Sequence, residues 1–203
     1  MKIWGYGEDA LTLWAITTPT SALYQATVAD ATEPQVFYRP SFGRGQGACF
    51  GEFDAIVAGA QLHLIEAKWR PNGKADIELE DEQRRRHAVF ADYLKCWFEL
   101  RPSSWKEFDA AVRSKGWRSD KPLAEPGTTL ARSLEHVLRT LSAHFRGTMP
   151  EVVNQLVVFY QEDKAPPRKQ AQWQAAANTA NFALLLQPYS DTYFTLQPPT
   201  HAA

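Results

Sequence analysis

Two short apolar runs, Ala55–Ala58 and Leu62–Ile65, stand three residues apart in the stretch GEFDAIVAGAQLHLIEAKWR, residues 51–70. Each is too short for a stable helix and is bounded by small residues, so the pair predicts a β-hairpin bound for a core. Charged residues sit at the ends of these runs: Asp54 opens the first, and Glu66 and Lys68 close the second. Side chains alternate faces along a strand. Leu62, Leu64, Glu66 and Lys68 therefore share one face, His63, Ile65, Ala67 and Trp69 the other, and Glu52 shares a face with Asp54.

The loop length decides what meets what. A two-residue loop, Gly59-Ala60, pairs Asp54 with Ile65 and sends the carboxylates to opposite faces. A three-residue loop, Gly59 to Gln61, pairs Asp54 with Glu66 and Glu52 with Lys68; a slip of one residue exchanges every face. The odd loop is expected, because such loops use glycine at the left-handed position and Gly59 supplies it. Like charges directly opposite on a sheet repel, so the pair needs compensation. Lys68 gives part of it and a divalent cation the rest. Mg²⁺, with Mn²⁺ as substitute, is held by one or two carboxylates together with water and phosphate oxygens. A metal there would polarise a phosphodiester and acidify an attacking water. Lys68 would orient that water or neutralise charge growing on the phosphate.

The remaining chain reads as alternating elements. A helix over 7–18 carries Glu8 and Asp9 in its first turn, where negative charge suits the helix dipole, and a strand over 35–42 precedes the glycine loop 43–47. The hairpin strands are expected over 48–58 and 62–70. A long helix, 75–100, places Leu79, Gln83, His87, Phe90, Leu94 and Trp97 on one face. Helices over 104–115, capped by Ser103 or Ser104, and over 129–146 follow. Then come a strand over 152–160, a helical piece over 170–178, a strand over 181–187 and an edge strand over 192–197. This pattern predicts a single α/β domain over residues 1–203, a mixed central sheet flanked by helices, with 101–150 as a helical insertion.

Asp54, eleven intervening residues, then Glu66-Ala67-Lys68 at the end of an apolar strand resembles the PD-(D/E)XK nuclease superfamily, the restriction-endonuclease-like fold. The resemblance covers about half the chain and implies an αβββαβ core and metal-dependent hydrolysis of DNA. It implies Asp54 and Glu66 as Mg²⁺ ligands and Lys68 as the residue serving the water. It further implies a first-helix acid reaching the metal, matched by Glu8 with Asp9 as competitor, and a helical glutamine, matched by Gln83. Phe53 stands where the motif has proline.

A net charge of −1 provides no overall field towards nucleic acid, so backbone contacts must be local. Arg44, Arg70 and Lys74 are the candidates, with Arg168 and Lys169 after a proline pair, and Trp69 could stack on a base. The run 78–87 offers the pairs Glu80–Arg84, Asp81–Arg85 and Glu82–Arg86, which favour a self-paired helix face. Cys49 and Cys96 form no metal spacing, the start lacks a signal peptide, and no apolar stretch is long enough for a membrane span. These features point to the cytoplasm. DNA is the expected partner, RNA stays open, and a homodimer would be needed for a two-strand cut. The alternative is a catalytically inactive scaffold on the same fold.

Overall fold

The computed structural model describes residues 3–41, 51–69, 77–115, 123–163, 167–190 and 194–196. The chain divides into two compact units. The first comprises residues 1–38, 54–79 and 152–203, and the second residues 39–53 and 80–151.

The first unit is built on a five-stranded mixed sheet. Its strands are β2 (Gln35–Tyr38), β3 (Ala55–Ala58), β4 (Leu62–Trp69), β5 (Val152–Gln161) and β6 (Ala183–Tyr189), adjacent in that order. The first three form an antiparallel meander, whereas β5 runs parallel to both β4 and β6. A strand between two parallel neighbours is covered on both faces and needs a continuous apolar run. In β5 that run is Leu156-Val157-Val158-Phe159, all fully buried. A separate antiparallel pair joins β1 (Ile3–Gly5) to β7 (Phe194–Leu196).

Alternation sorts the sheet residues between two cores. Ala55, Val57, Ile65, Ala67, Val157 and Phe159 pack with α1 (Gly7–Thr17) and α2 (Ala22–Thr27) through Leu11, Ala15, Ile16 and Leu23. The buried carboxamide of Gln187 on β6 accepts the Leu23 N–H at 3.0 Å and ties α2 to the sheet. Leu156 and Val158 pack instead with Ile77, Leu79 and, from α6 (Pro167–Thr179), Trp173 and Ala177. The sheet is thus flanked by helices, as the sequence pattern predicts.

The second unit contains α3 (Asp81–Leu100), α4 (Trp105–Ser114) and α5 (Thr129–His144). Ser104 caps α4, its hydroxyl accepting the Glu107 N–H at 3.2 Å. Tyr93 of α3 meets Trp105 and Phe108 of α4, and Trp97 lies 5.2 Å from Phe108. This aromatic packing draws α3 into the helical unit. The second unit takes in residues 80–151, which include 101–150, together with 39–53.

Several local features differ from the sequence pattern. Helix α2 and the β1–β7 pair were not visible in the sequence pattern, and the last strand pairs with β1 instead of edging the main sheet. The first hairpin strand is short: β3 starts at Ala55, not at residue 48. Ahead of it Glu52 bridges Ser41 and forms an ion pair with Arg39 at 2.6 Å, while the regular β3–β4 ladder, expected to reach a Glu52–Lys68 pair, ends at Ala55 and Ile65. Phe53 packs within the second unit. It is fully buried, edge-on to His87 at 4.8 Å and to Phe90 at 5.4 Å. It therefore anchors the second unit where the motif would have proline.

Candidate active site at the open end of the hairpin

The three-residue loop is formed: Ala58 pairs with Leu62, Val57 with His63, Ile56 with Leu64 and Ala55 with Ile65. Continued by one step, this register sets Asp54 opposite Glu66. The regular ladder stops at Ala55, and Asp54 is held by two other bonds. Its N–H donates to the Ile65 carbonyl at 3.1 Å, and its Oδ2 accepts the Ala67 N–H at 2.6 Å.

Strand β4 thus outruns β3 by several residues. Its N–H groups on the β3 side would be orphaned there, and an unpaired buried donor is costly. Ala67 and Trp69, two apart, are the residues concerned. Asp54 takes the first donor. The second, the Trp69 N–H, is accepted by Glu8 Oε2 at 2.6 Å. Two carboxylates therefore stand side by side along one strand edge, each fixed by a charge-assisted bond to backbone, a type worth about 1.5–3 kcal/mol.

The choice between the two first-helix acids follows from how α1 lies. Glu8 reaches β4, whereas Asp9 is exposed and its carbonyl accepts the Tyr38 hydroxyl at 2.6 Å. Glu66 is 1% exposed. It pairs with Leu156, and Lys68 with Val158, so both point to the sheet face that carries α6. Lys68 is half-buried and makes no ion pair with a described residue. A buried carboxylate needs donors or a cation around it, and this donor set is all hard oxygen, suited to Mg²⁺ or Mn²⁺. Among the described residues no group of three or more His, Cys, Asp or Glu could hold a metal ion. Glu8 serves here as the acceptor of the Trp69 N–H.

Gln83 lies in the second unit. Its carboxamide oxygen accepts the Glu80 N–H at 3.0 Å and caps the start of α3. Arg84 meets Asp81 one turn back. Arg86 turns inward, 8% exposed and 5.4 Å above the Phe53 ring, so it is no part of a solvated charge ladder. Gly51 has φ +68°, the left-handed region that favours glycine, and a Cβ there would also meet the Arg86 guanidinium. Arg44, Arg70, Lys74 and Cys49 lie outside the described residues, as does the side chain of Arg168; Lys169 is half-buried in α6.

Sequence reasoning missed the aromatic frame beside the acids. Trp69 donates its indole N–H to the Tyr189 hydroxyl at 2.8 Å and meets the Tyr6 ring edge-on at 5.4 Å. Burial pushes the Tyr189 phenol above its ordinary pKa, with Tyr6 and Asp163 adding to the rise and the Trp69 N–H opposing it. The one available signal was aromatics at positions 4, 6 and 69, next to Glu8 and Lys68 in the chain.

The chain matches no family model, no curated protein and no solved structure. Among the described residues no helix is long and apolar enough to cross a membrane.

Proposed function

We propose that this chain is a metal-dependent phosphodiesterase acting on DNA, with a restriction-endonuclease-like core. The observation that carries the reading is the open end of β4, where Asp54 is fixed to the Ala67 N–H and Glu8 to the Trp69 N–H. Glu66 and Lys68 project from the same four residues of strand. A surface ion-pair cluster has no need of backbone-fixed carboxylates, whereas a site that must hold geometry does. The element order adds support. A first helix, an antiparallel three-strand meander, a helix and a strand parallel to the third follow the αβββαβ order of that superfamily.

In this reading Asp54 and Glu66 hold Mg²⁺ or Mn²⁺. The ion, when bound, polarises the phosphodiester and lowers the pKa of a water. Lys68 positions its ammonium towards the attacking water or the phosphate oxygens, where it offsets developing negative charge. Glu8 acts through the strand: by holding the Trp69 N–H it keeps the segment Glu66–Lys68 straight. Gln83 matches the helical glutamine of that superfamily by resemblance, and its capping bond gives it a structural duty as well.

The test is calorimetric titration of Mg²⁺ and Mn²⁺ into wild type, Asp54→Ala and Glu66→Gln, with hydrolysis of single-stranded, duplex and branched DNA in parallel. Both substitutions should abolish metal binding and lower hydrolysis about a hundredfold or more, and Lys68→Met should lower hydrolysis with metal binding retained. Hydrolysis unchanged in Asp54→Ala would sink the proposal. A wild type that binds DNA but neither binds metal nor cleaves would favour the inactive scaffold.

A further inference from the structure

We infer that Lys169 binds a DNA phosphate flanking the one cleaved, so that the substrate backbone runs over the sheet face that carries α6, from Glu66 and Lys68 past Tyr160 to the first turn of α6. The inference rests on the phosphodiesterase reading of Asp54, Glu66 and Lys68 and adds to it the track of the substrate.

The register sets these groups on one side of the sheet. Glu66 pairs with Leu156 and Lys68 with Val158 on β5, and Leu156 and Val158 pack with Trp173 and Ala177 of α6. Tyr160 follows Val158 by two residues and so takes the same face, about 7 Å further towards the end of the strand. It is half-buried, with its ring 6.4 Å from that of Trp173.

Helix α6 brings Lys169 to that face. It connects β5 to its parallel neighbour β6, so it starts where β5 ends and runs back across the sheet. Lys169, Trp173 and Ala177 stand four residues apart and share one stripe of the helix. Trp173 and Ala177 are buried, whereas Gln170, Gln172 and Gln174 are exposed. Lys169 is half-buried and stands one turn nearer the helix start than Trp173, at the end where β5 carries Tyr160.

Charge identifies the occupant. Lys68 and Lys169 are both half-buried, and neither makes an ion pair with a described residue. A partly desolvated cation is stabilised by a counter-charge. Local helix energetics do not account for Lys169. A cation in the first turn opposes the helix dipole, and that turn holds no acid to offset it. Two ammonium groups on one face, beside a carboxylate pair suited to a metal, match a phosphodiester chain, which carries one negative charge per unit. In a chain of net charge −1 such contacts must be local.

The test uses the full chain and two substrates. One is a fluorescein-labelled DNA oligonucleotide; the other is bis(p-nitrophenyl) phosphate, a phosphodiester with no flanking phosphate. On the oligonucleotide, Lys169→Met, which keeps most of the stem and removes the charge, should raise KM about three- to tenfold with kcat within about twofold. Lys169→Arg should restore KM. On bis(p-nitrophenyl) phosphate Lys169→Met should match wild type, whereas Asp54→Ala should be inactive on both substrates. Anisotropy with Ca²⁺ in place of Mg²⁺ reads binding without cleavage. There Lys169→Met should weaken binding equally for different base sequences and lower the slope of log affinity against log salt by about 0.7–0.9. If Lys169→Met melts early, Lys169→Gln carries the same readings. Unchanged KM and salt slope would overturn the inference, as would no DNA binding by wild type. Equal loss on both substrates would place Lys169 in the chemistry or the fold and also overturn it. A wild type that binds DNA without cleaving it sinks the catalytic reading alone, and the anisotropy of Lys169→Met still decides the phosphate contact.

Discussion

Gly59 opens the three-residue loop that sets the hairpin register, and replacing it with alanine tests that geometry directly. An added Cβ would lie 2.4 Å from the Thr27 carbonyl oxygen, with the Thr27 carbonyl carbon at 3.5 Å and the Ala31 Cβ at 3.7 Å. The close contact is with backbone at the end of α2, which cannot swing aside as a long side chain can. Either α2 or the hairpin must move by more than half an ångström. Overpacking of this kind costs about 1–3 kcal/mol. For a chain of this size each kcal/mol lowers Tm by about 2–4 °C, so a fall of about 2–12 °C is expected. Calorimetry or a circular-dichroism melt reads it. Two controls sharpen the result. Ala60→Ser, at the exposed neighbouring position, should leave Tm within about a degree, since surface substitutions of this kind are nearly neutral. Ala31→Gly should fail to rescue Gly59→Ala, because the limiting contact is the Thr27 carbonyl. A Gly59→Ala protein that melts with wild type would refute the close approach, and with it the packing of α2 on the loop. Rescue by Ala31→Gly would place the strain in side chains instead.

Two further outcomes follow from the packing and the titration directions. Phe53→Ala should cost about 3–5 kcal/mol, seen as a lower urea midpoint, because a fully buried ring over His87 and Phe90 is removed; Phe53→Pro, which restores the motif's residue, should be no better, and a stable proline variant would show that Phe53 is not an anchor. The Tyr189 phenol should ionise above its ordinary value, so the stability tied to its neutral form is complete below that value and is lost as pH rises through the raised one. Trp69→Phe removes the donor that favours the phenolate, so the phenolate absorbance should move to still higher pH, and a move to lower pH would contradict the Trp69–Tyr189 bond.

The acids at the ends of the two apolar runs were legible from the sequence alone: where the apolar runs end at Ala55 and Ile65, Asp54 and Glu66 begin. The loop length then settled which face each residue takes, since a strand has period two. The choice between Glu8 and Asp9 was not legible, because both suit the first turn of a helix. Only the docking of α1 on β4 gives Glu8 the Trp69 N–H. The place of Gln83 on an apolar face was readable, whereas its bond to the Glu80 N–H is a local capping choice that periodicity does not encode.

The sequence by itself determined the α/β class, the hairpin register and the acids beside its open end, because each depends on local alternation and spacing. Tertiary structure decided the rest. The chain parts into two units because the aromatic side chains of α3 match those of α4, a choice of partner that an amphipathic stripe leaves open. Strand β1 exists only because β7, near the other end of the chain, supplies its hydrogen bonds, and three residues carry too little pattern to announce themselves. The aromatic frame of Tyr6, Trp69 and Tyr189 is likewise a meeting of distant segments. Tyr189 is buried, and only the fold brings the Trp69 indole to its hydroxyl and the Tyr6 ring to Trp69.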